Sequence, residues 1–204
     1  SQRPYRTNKG RYYVRTTSGC RDASREELLR LFQAVESLYY DETPLLRLGL
    51  KDLDLDAVAD YIERTGQQDL AGMSYEALLR NWRMVVNDNP TVAGALMFGR
   101  RPQEHLPFAQ INAAWFAGTD SSDDPRDRTD ITGRLLDMIQ SAGLFLSVCL
   151  REEHRIRGFE PERRPELPEE ALREAIVNAV AHRDYTIPGP IRLFVFRDRV
   201  EVHT

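Results

Sequence analysis

Three polar side chains recur at every fourth position of the apolar segment 171–182: Glu174, Asn178 and His182. On an α-helix this spacing aligns them along one side, and we call these three residues the seam. Eight of the twelve residues in the segment are Ala, Leu, Ile or Val, which is typical of a helix that is buried on most sides. Asparagine is a mediocre helix former because its amide competes for backbone hydrogen bonds. Its position in mid-helix therefore suggests a function.

The seam has two interpretations. An asparagine carbonyl oxygen is a suitable ligand for Mg²⁺, which usually keeps several waters and shares its coordination with substrate phosphates. A glutamate one turn away could orient or deprotonate an attacking water. The same spacing also fits an amphipathic helix whose polar stripe faces solvent, with His182 near the C-terminus interacting with the helix dipole. Spacing alone leaves both interpretations open.

The Glu174-x-x-x-Asn178 pattern resembles the N-box of the ATPases typified by gyrase, histidine kinases and MutL. In that group the asparagine holds magnesium, and in the hydrolytic members the glutamate acts as base. Segments along nearly the whole chain resemble, in the expected order, one bacterial and archaeal family: 10–15, 21–28, 91–103, 106–109, 168–185 and 191–203. Its members combine an N-terminal Schlafen AlbA-type DNA-binding domain with a C-terminal divergent histidine-kinase-like ATPase domain. They are commonly described as RecG-related, "divergent AAA" or transcriptional regulators.

This resemblance implies a DNA-binding regulator that uses ATP and Mg²⁺. Asn178 would hold magnesium, Glu174 would position water, and His182 or Asp184 would support the site. Asp184 could instead orient His182 or cap the helix end. The alternative function is a non-enzymatic scaffold that binds DNA or protein and is derived from an ATPase fold, with a structural seam. The resemblance is specific for the family and leaves the activity open.

The chain contains no glycine-rich phosphate loop. The Gly-x-x-x-x-Gly-Lys-Ser/Thr motif is absent, which excludes P-loop ATPase and helicase activity for this chain. In the related family a glycine-rich box follows the last hairpin, and this sequence stops at Thr204, just at that strand. We therefore expect an internal piece of a longer protein that holds half of a nucleotide site. Residues 1–204 should bind Mg-ATP weakly or not at all.

Composition indicates an ordinary globular protein. The 204 residues are 41% hydrophobic and 29% charged, enough for one substantial core or two small domains. The sequence shows no apolar run near the roughly 18 residues of a membrane span and no signal-like stretch. Two cysteines and four scattered histidines form neither a metal spacing nor a disulfide framework. We expect a cytoplasmic protein without a membrane partner, and self-association stays open.

Basic residues concentrate at the N-terminus, although the net charge of −4 gives the whole chain no attraction to nucleic acid. Residues 1–30 contain eight basic and three acidic side chains with interleaved tyrosines, a mixture that single-strand binders use for charge and stacking. The predicted nucleic-acid contacts, with DNA as the expected partner, are Arg11, Arg15, Tyr12 and Tyr13. The alternative is an exposed strand with solvated arginines.

Three regions are predicted along the chain. Region 1–40 is the end of an AlbA-type domain, with a strand at 11–16 and a helix that Ser24 and Glu27 begin as a capping box. Region 41–90 is a helical connecting segment with one helix at 52–65, ended by Gly66, and another from Ser74 through Val86. Eight acidic against five basic residues in 47–88 disfavour a DNA-reading role there and favour a structural or protein-contact role.

Region 91–204 is predicted to be the N-terminal part of a histidine-kinase-like ATPase domain. The expected elements are strands at 95–98 and 109–116, a polar loop at 118–128, a helix at 130–150, a connector at 151–170, the seam helix, and a hairpin of 191–196 with 200–203. This order favours a two-layer sandwich. The predicted fold class is α/β (α+β), with a helical middle segment followed by a two-layer α/β sandwich.

Overall fold

The protein has a mixed α+β fold, as predicted. A computed structural model describes residues 7–8, 10–17, 19–34, 39–66, 72–122, 124–153 and 167–204. The helices are α1 Arg25–Ala34, α2 Leu55–Thr65, α3 Tyr75–Asn81, α4 Val92–Phe98, α5 Leu135–Glu153 and α6 Glu169–Ala181. The strands are β1 Tyr13–Thr16, β2 Gly19–Asp22, β3 Val85–Val86, β4 Asn89–Pro90, β5 Ile111–Trp115, β6 Asp127–Ile131, β7 Ile191–Val195 and β8 Val200–His203.

The N-terminal region is a hairpin followed by α1. β1 confirms the predicted strand, and it pairs antiparallel with β2, which was not predicted because Gly and Asp are depleted in strands. The Ser24 hydroxyl accepts from the Glu27 amide at 3.2 Å, and the Glu27 carboxylate accepts from the Ser24 amide at 2.9 Å. This reciprocal pair is the predicted capping box. Residues 35–38 of the predicted helix lie outside the described part of the chain.

Helices α2 and α3 begin the helical segment. α2 ends as predicted, with Gly66 in the left-handed conformation at φ 68°, which glycine adopts without a steric penalty. α3 begins as predicted at Ser74, whose hydroxyl accepts from the Ala77 amide at 3.3 Å. The prediction that this helix continues through Val86 is wrong, because α3 ends at Asn81.

A turn and a small hairpin replace the predicted end of α3. The Met84 amide donates to the Leu79 carbonyl at 2.8 Å and the Arg83 amide to the Arg80 carbonyl at 3.0 Å, a Schellman pattern that closes the helix. β3 and β4 then pair across Asn87 and Asp88, both with positive φ. Asparagine and aspartate tolerate this conformation, and a two-residue turn of this kind matches the twist of a hairpin.

The predicted strand at 95–98 is wrong, since these residues belong to helix α4. A short apolar run cannot be assigned to strand or helix from periodicity alone. Thr91 begins the helix: its hydroxyl accepts from the Gly94 amide at 3.1 Å and donates to the Arg83 carbonyl at 3.0 Å.

α4 lies between two hydrophobic cores. One contains Leu48, Val92, Ala95, Leu96, Leu106 and Ala109. The other contains Leu53, Val58, Leu79, Val85 and Phe98. Packing is therefore continuous across the predicted boundary at residue 90. The helices α2, α3 and α4 pack together, and we call them the helical unit.

The larger sheet has the strand order β6-β5-β7-β8. β5 and β7 are parallel, and the outer pairs are antiparallel. The predicted hairpin is confirmed, with Val195 opposite Val200. The predicted loop at 118–128 and the predicted helix at 130–150 are each partly wrong. Strand β6 occupies the end of the loop and the start of the helix, and α5 begins only at Leu135. The sequence of β6 is polar, and its pairing to β5 overrides its low strand propensity.

The sheet and two helices form the predicted two-layer sandwich. α5 and α6 cover one face of the sheet, where they form a common core with residues of β5, β6 and β7: Ile111, Ala113, Trp115, Ile131, Met138, Ala142, Leu146, Cys149, Ile176, Ala179, Val180, Ile191, Leu193 and Val195. None of the described helices combines the length and hydrophobicity that crossing a membrane requires. Residues 154–166 of the predicted connector lie outside the described part of the chain.

Polar contacts join the helical unit to the start of α5. The Gln103 amide nitrogen donates to the Ala109 and Gly133 carbonyls at 2.6 and 2.8 Å, and its oxygen accepts from the Gly133 amide at 3.0 Å. Arg134 donates to Asp54 at 3.1 Å and to Asp137 at 2.7 Å. The sandwich is therefore anchored to the helical unit at the end of the sheet where α5 begins.

Candidate nucleotide site and nucleic-acid face

The seam lies on the side of α6 that faces away from the sheet. Ile176, Ala179 and Val180 are buried against the sheet and α5, and all three seam residues are exposed. The expectation that this helix is buried on most sides is therefore wrong. Alanine accounts for the difference, because several alanines of α6 face solvent, and isolated small apolar residues on a surface are normal.

The side chains of the seam are available for other interactions. Among the described residues, none forms a hydrogen bond or ion pair with the side chains of Glu174, Asn178 or His182. The backbone of His182 occupies the C-cap, and its amide donates to the Asn178 carbonyl at 2.9 Å. The geometry permits both interpretations of the seam, as a solvated stripe and as a ligand-binding edge.

Asp184 lies in the loop that follows α6. Its Oδ1 accepts from the Thr186 amide at 2.9 Å and from the Thr186 hydroxyl at 2.5 Å. These bonds form a local turn of the kind that aspartate favours. They engage Asp184 in the loop, where it shapes the chain next to the seam.

Arg183 and Tyr185 form a structured anchor that sequence reasoning missed. Arg183 is only 8% exposed, and its guanidinium donates to the carbonyls of Ile187, at 3.1 Å, and Gly189. The Tyr185 hydroxyl donates to the Val180 carbonyl at 2.8 Å, and burial raises the pKa of Tyr185 to about 12. The sequence gives little indication of this anchor. Both side chains bind backbone carbonyls, and every residue type has one, so no particular partner residue is required.

The interface between α6 and the sheet is apolar and closely packed. It is lined by Ile111, Ile176, Ala179, Ile191, Leu193 and Val202, and the space between these side chains is too small for a water molecule. A ligand of the seam would therefore lie on the outward side of α6.

The residues of the seam fit one wall of a magnesium–nucleotide site. The described residues contain no cluster of three or more His, Cys, Asp or Glu side chains that could hold a metal ion. A cation at Asn178 would therefore take most of its ligands from water and phosphate, as Mg²⁺ commonly does. The unpartnered amide and carboxylate supply suitable oxygens, but the chain has no glycine-rich loop to cradle phosphates.

The N-terminal hairpin has an inner and an outer face. The Tyr12 ring meets the Phe32 ring of α1 edge-on, with centroids 5.7 Å apart. Strand alternation places Tyr13 and Arg15 on the opposite, outer face, where both are exposed. The structure thus separates the four predicted nucleic-acid residues: Tyr12 packs on α1, and the other three lie on the solvent side.

Ion pairs further distinguish the arginines of the hairpin. Arg21 binds Glu27 through two bonds of 2.8 and 2.6 Å, and these bonds, together with the Ser24 amide, lower the pKa of Glu27 to about 2. Arg11 contacts Asp22 at 3.4 Å, with both side chains exposed, and such pairs are weak. Arg15 forms no ion pair within the described part of the chain. The outer face therefore offers Arg11 and Arg15 beside Tyr13.

Comparison with known proteins supports the fold and leaves the function open. A family described as a domain of unknown function (DUF8451) matches residues 29–113, which run from α1 into β5. The crystal structure of the DIP2311 protein from Corynebacterium diphtheriae is similar, with a TM-score of 0.51 and 22% identity over 92% of this chain and 36% of that chain. This chain thus spans about a third of the length of that protein. No curated protein matches the sequence.

Proposed function

We propose that this chain belongs to a cytoplasmic, DNA-associated regulator in which a divergent histidine-kinase-like ATPase unit carries a Mg-ATP site on α6. The observation that carries the proposal is the seam, whose side chains have no partner among the described residues and which lies on the outward side of a helix whose other side closes the sheet. The two-layer sandwich and the resemblance of the Glu174–Asn178 spacing to the N-box support it.

In this proposal each residue has a role that suits its position. The Asn178 carbonyl oxygen holds magnesium, and the Glu174 carboxylate orients the attacking water. His182 extends the polar edge, and Asp184 shapes the adjoining loop. When bound, Mg²⁺ would neutralise phosphate charge.

Calorimetry of Mg-ATP binding tests the nucleotide site. The parent is the chain extended past Thr204 through the expected glycine-rich segment, and the variant is Asn178→Ala. We expect the variant to lose binding, while the control Arg173→Ala, an exposed change on the same helix, retains it. Equal binding by the parent and Asn178→Ala would contradict the assignment. Micromolar affinity of residues 1–204 alone would contradict the expectation of half a site.

The second part of the proposal is a DNA contact on the outer face of the hairpin. Arg11 and Arg15 would meet phosphates, and Tyr13 would stack on a base. Replacing both arginines with alanine should reduce the magnitude of the salt-dependence slope of single-stranded DNA binding by about 1.4, for two lost phosphate contacts. The control is the pair Arg64→Ala and Arg80→Ala, which removes the same charge from the helical unit. An equal effect of the two pairs would refute a local site.

One observation favours the non-enzymatic scaffold as a second candidate. Glu174 is exposed on an open helix face, whereas catalytic groups usually line a concave site that encloses the ligand. If the extended chain binds DNA but not Mg-ATP, and Asn178→Ala changes neither property, the seam is a solvated stripe and the scaffold function is correct.

A further inference from the structure

Arg183 is unusual among the arginines of this protein. Among the described residues, Thr91 and Arg183 are the buried polar side chains. Burying a guanidinium costs free energy, which is offset only when hydrogen bonds and nearby charge compensate. Its burial lowers the pKa of Arg183, and nearby Tyr185, Asp184 and Tyr40 act in the opposite direction. If filling space were the only requirement, an apolar residue of similar volume would serve as well.

The contacts of Arg183 hold the loop after α6 in one shape. Its guanidinium donates to the carbonyls of Ile187 and Gly189, so one side chain closes the loop 184–189. The same group lies over the Tyr185 ring, 4.9 Å from its centroid. Both bonds come from the same nitrogen, Nη2, so the planar guanidinium can also lie flat on the ring, and a lysine ammonium has no such planar group to stack.

Tyr185 connects the loop after α6 to the end of the helix that carries the seam. Its hydroxyl bonds the Val180 carbonyl at 2.8 Å, one of the last carbonyls of α6, which have no partner within the helix. Its ring packs against the helical core around Leu48 and Val92, beside Tyr40. The last turn of α6, which carries Asn178 and His182, is thus attached both to its own loop and to the helical unit.

We propose that Arg183, acting through Tyr185, is a positioning residue that sets the orientation of Asn178 and His182 toward the nucleotide. This inference rests on the proposed function. Asn178 can place one oxygen on a cation only if the last turn of α6 is held. Ala179 and Val180 hold this turn against the sheet and α5, and Tyr185 and the loop that Arg183 closes hold its C-terminal end. The loss of a residue that orients a metal ligand commonly weakens metal affinity by about 10- to 100-fold.

The test compares Mg-ATP affinity and folding in the extended chain. Arg183→Lys retains the charge but loses the planar group that lies over the Tyr185 ring, and Tyr185→Phe removes only the bond to Val180. Arg128→Lys, on the exposed edge strand β6, is the matched control. Calorimetry on samples shown to be folded by circular dichroism reports affinity per folded molecule, a quantity that a purely stabilising role leaves unchanged.

We expect Arg183→Lys and Tyr185→Phe to weaken Mg-ATP binding by about 10-fold or more, with Arg128→Lys equal to the parent. If Arg183→Lys fails to fold, Tyr185→Phe alone decides the question. Binding by Tyr185→Phe, and by Arg183→Lys where it folds, as tight as that of the parent would overturn the inference and leave the proposed function standing. No binding by the parent would overturn both.

Discussion

The helices α4 and α6 are both rich in small apolar residues but have different surroundings. α4 is enclosed by two cores, and five of its seven residues are buried: Val92, Gly94, Ala95, Leu96 and Phe98. α6 has thirteen residues, of which Ile176, Ala179 and Val180 are buried. α4 begins with a hydroxyl cap from Thr91, whereas Pro168 at the start of α6 supplies no side-chain cap.

The difference in burial between α4 and α6 predicts that substitutions in the two helices have different effects. Nearly every position of α4 is fixed by packing, so its substitutions should act through stability. α6 uses one side for packing, and the outward-facing seam has no side-chain partner in the part of the chain that the structure describes. Substitutions on its two sides should therefore have different consequences. Matched substitutions in the two helices test this distinction.

The largest expected effect is at Gly94 of α4. A Cβ at this position would lie 2.0 Å from the Met84 carbonyl oxygen, so Gly94→Ala must displace backbone and should destabilise the protein by about 3 kcal/mol or more. Gly143→Ala is the control, since a Cβ there meets open space on the exposed side of α5. It should stabilise by about 1 kcal/mol through helix propensity. Urea unfolding measures both, and equal effects would show that α4 is not closely packed.

The next effect compares two valines of α6. Val180 is 1% exposed, and Val180→Ala removes buried methyl groups at a cost of about 2 kcal/mol. Val177 is only partly buried, so Val177→Ala should change the free energy of unfolding by less than about 0.5 kcal/mol, because alanine is also the better helix former. Thermal and urea unfolding of both variants provide the measurement. Similar losses at the two positions would mean that α6 is buried on more than one side.

A smaller effect is expected at the cap of α4. Thr91→Val keeps the shape but removes the hydroxyl that bonds Gly94 and Arg83, at a cost of about 1.5 kcal/mol for a buried cap. Ser74→Ala removes the exposed cap of α3 and should cost about 0.5 kcal/mol. Chemical denaturation of both variants checks the ranking, and the reverse order would show that burial does not strengthen the cap of α4.

Local signals predicted much of the fold. The capping box of Ser24 and Glu27, the left-handed end at Gly66 and the last hairpin each depend on residues close in sequence. α4 and β6 were missed for opposite reasons. A short apolar run does not distinguish strand from helix, and the polar residues of β6 form a strand because β5 offers an edge to pair with.

The candidate site, too, could be predicted from the sequence only in part. Spacing alone aligned Glu174 with Asn178, but only the packing of Ile176 and Val180 shows that the seam faces outward. Strand alternation places Tyr12 and Tyr13 on opposite faces, and the distant Phe32 decides which of them is covered. The anchor of Arg183 depends on a loop conformation, and no periodicity in the sequence reports it.

The smallest expected change in stability is at Asn178, where stability and Mg-ATP binding together test the two functions. The Asn178 amide has no partner among the described residues, so Asn178→Ala should stabilise α6 by about 0.5 kcal/mol, since alanine is the better helix former. A loss of about 1 kcal/mol would instead show that the amide makes a structural interaction. A ligand-binding edge and a solvated stripe both predict the gain, and Mg-ATP binding distinguishes them. Urea unfolding without nucleotide, with Arg173→Ala as the control on the same helix, measures the sign. A gain in stability together with a loss of Mg-ATP binding would show that Asn178 is retained for a ligand at a cost to the fold, which a solvated stripe does not explain.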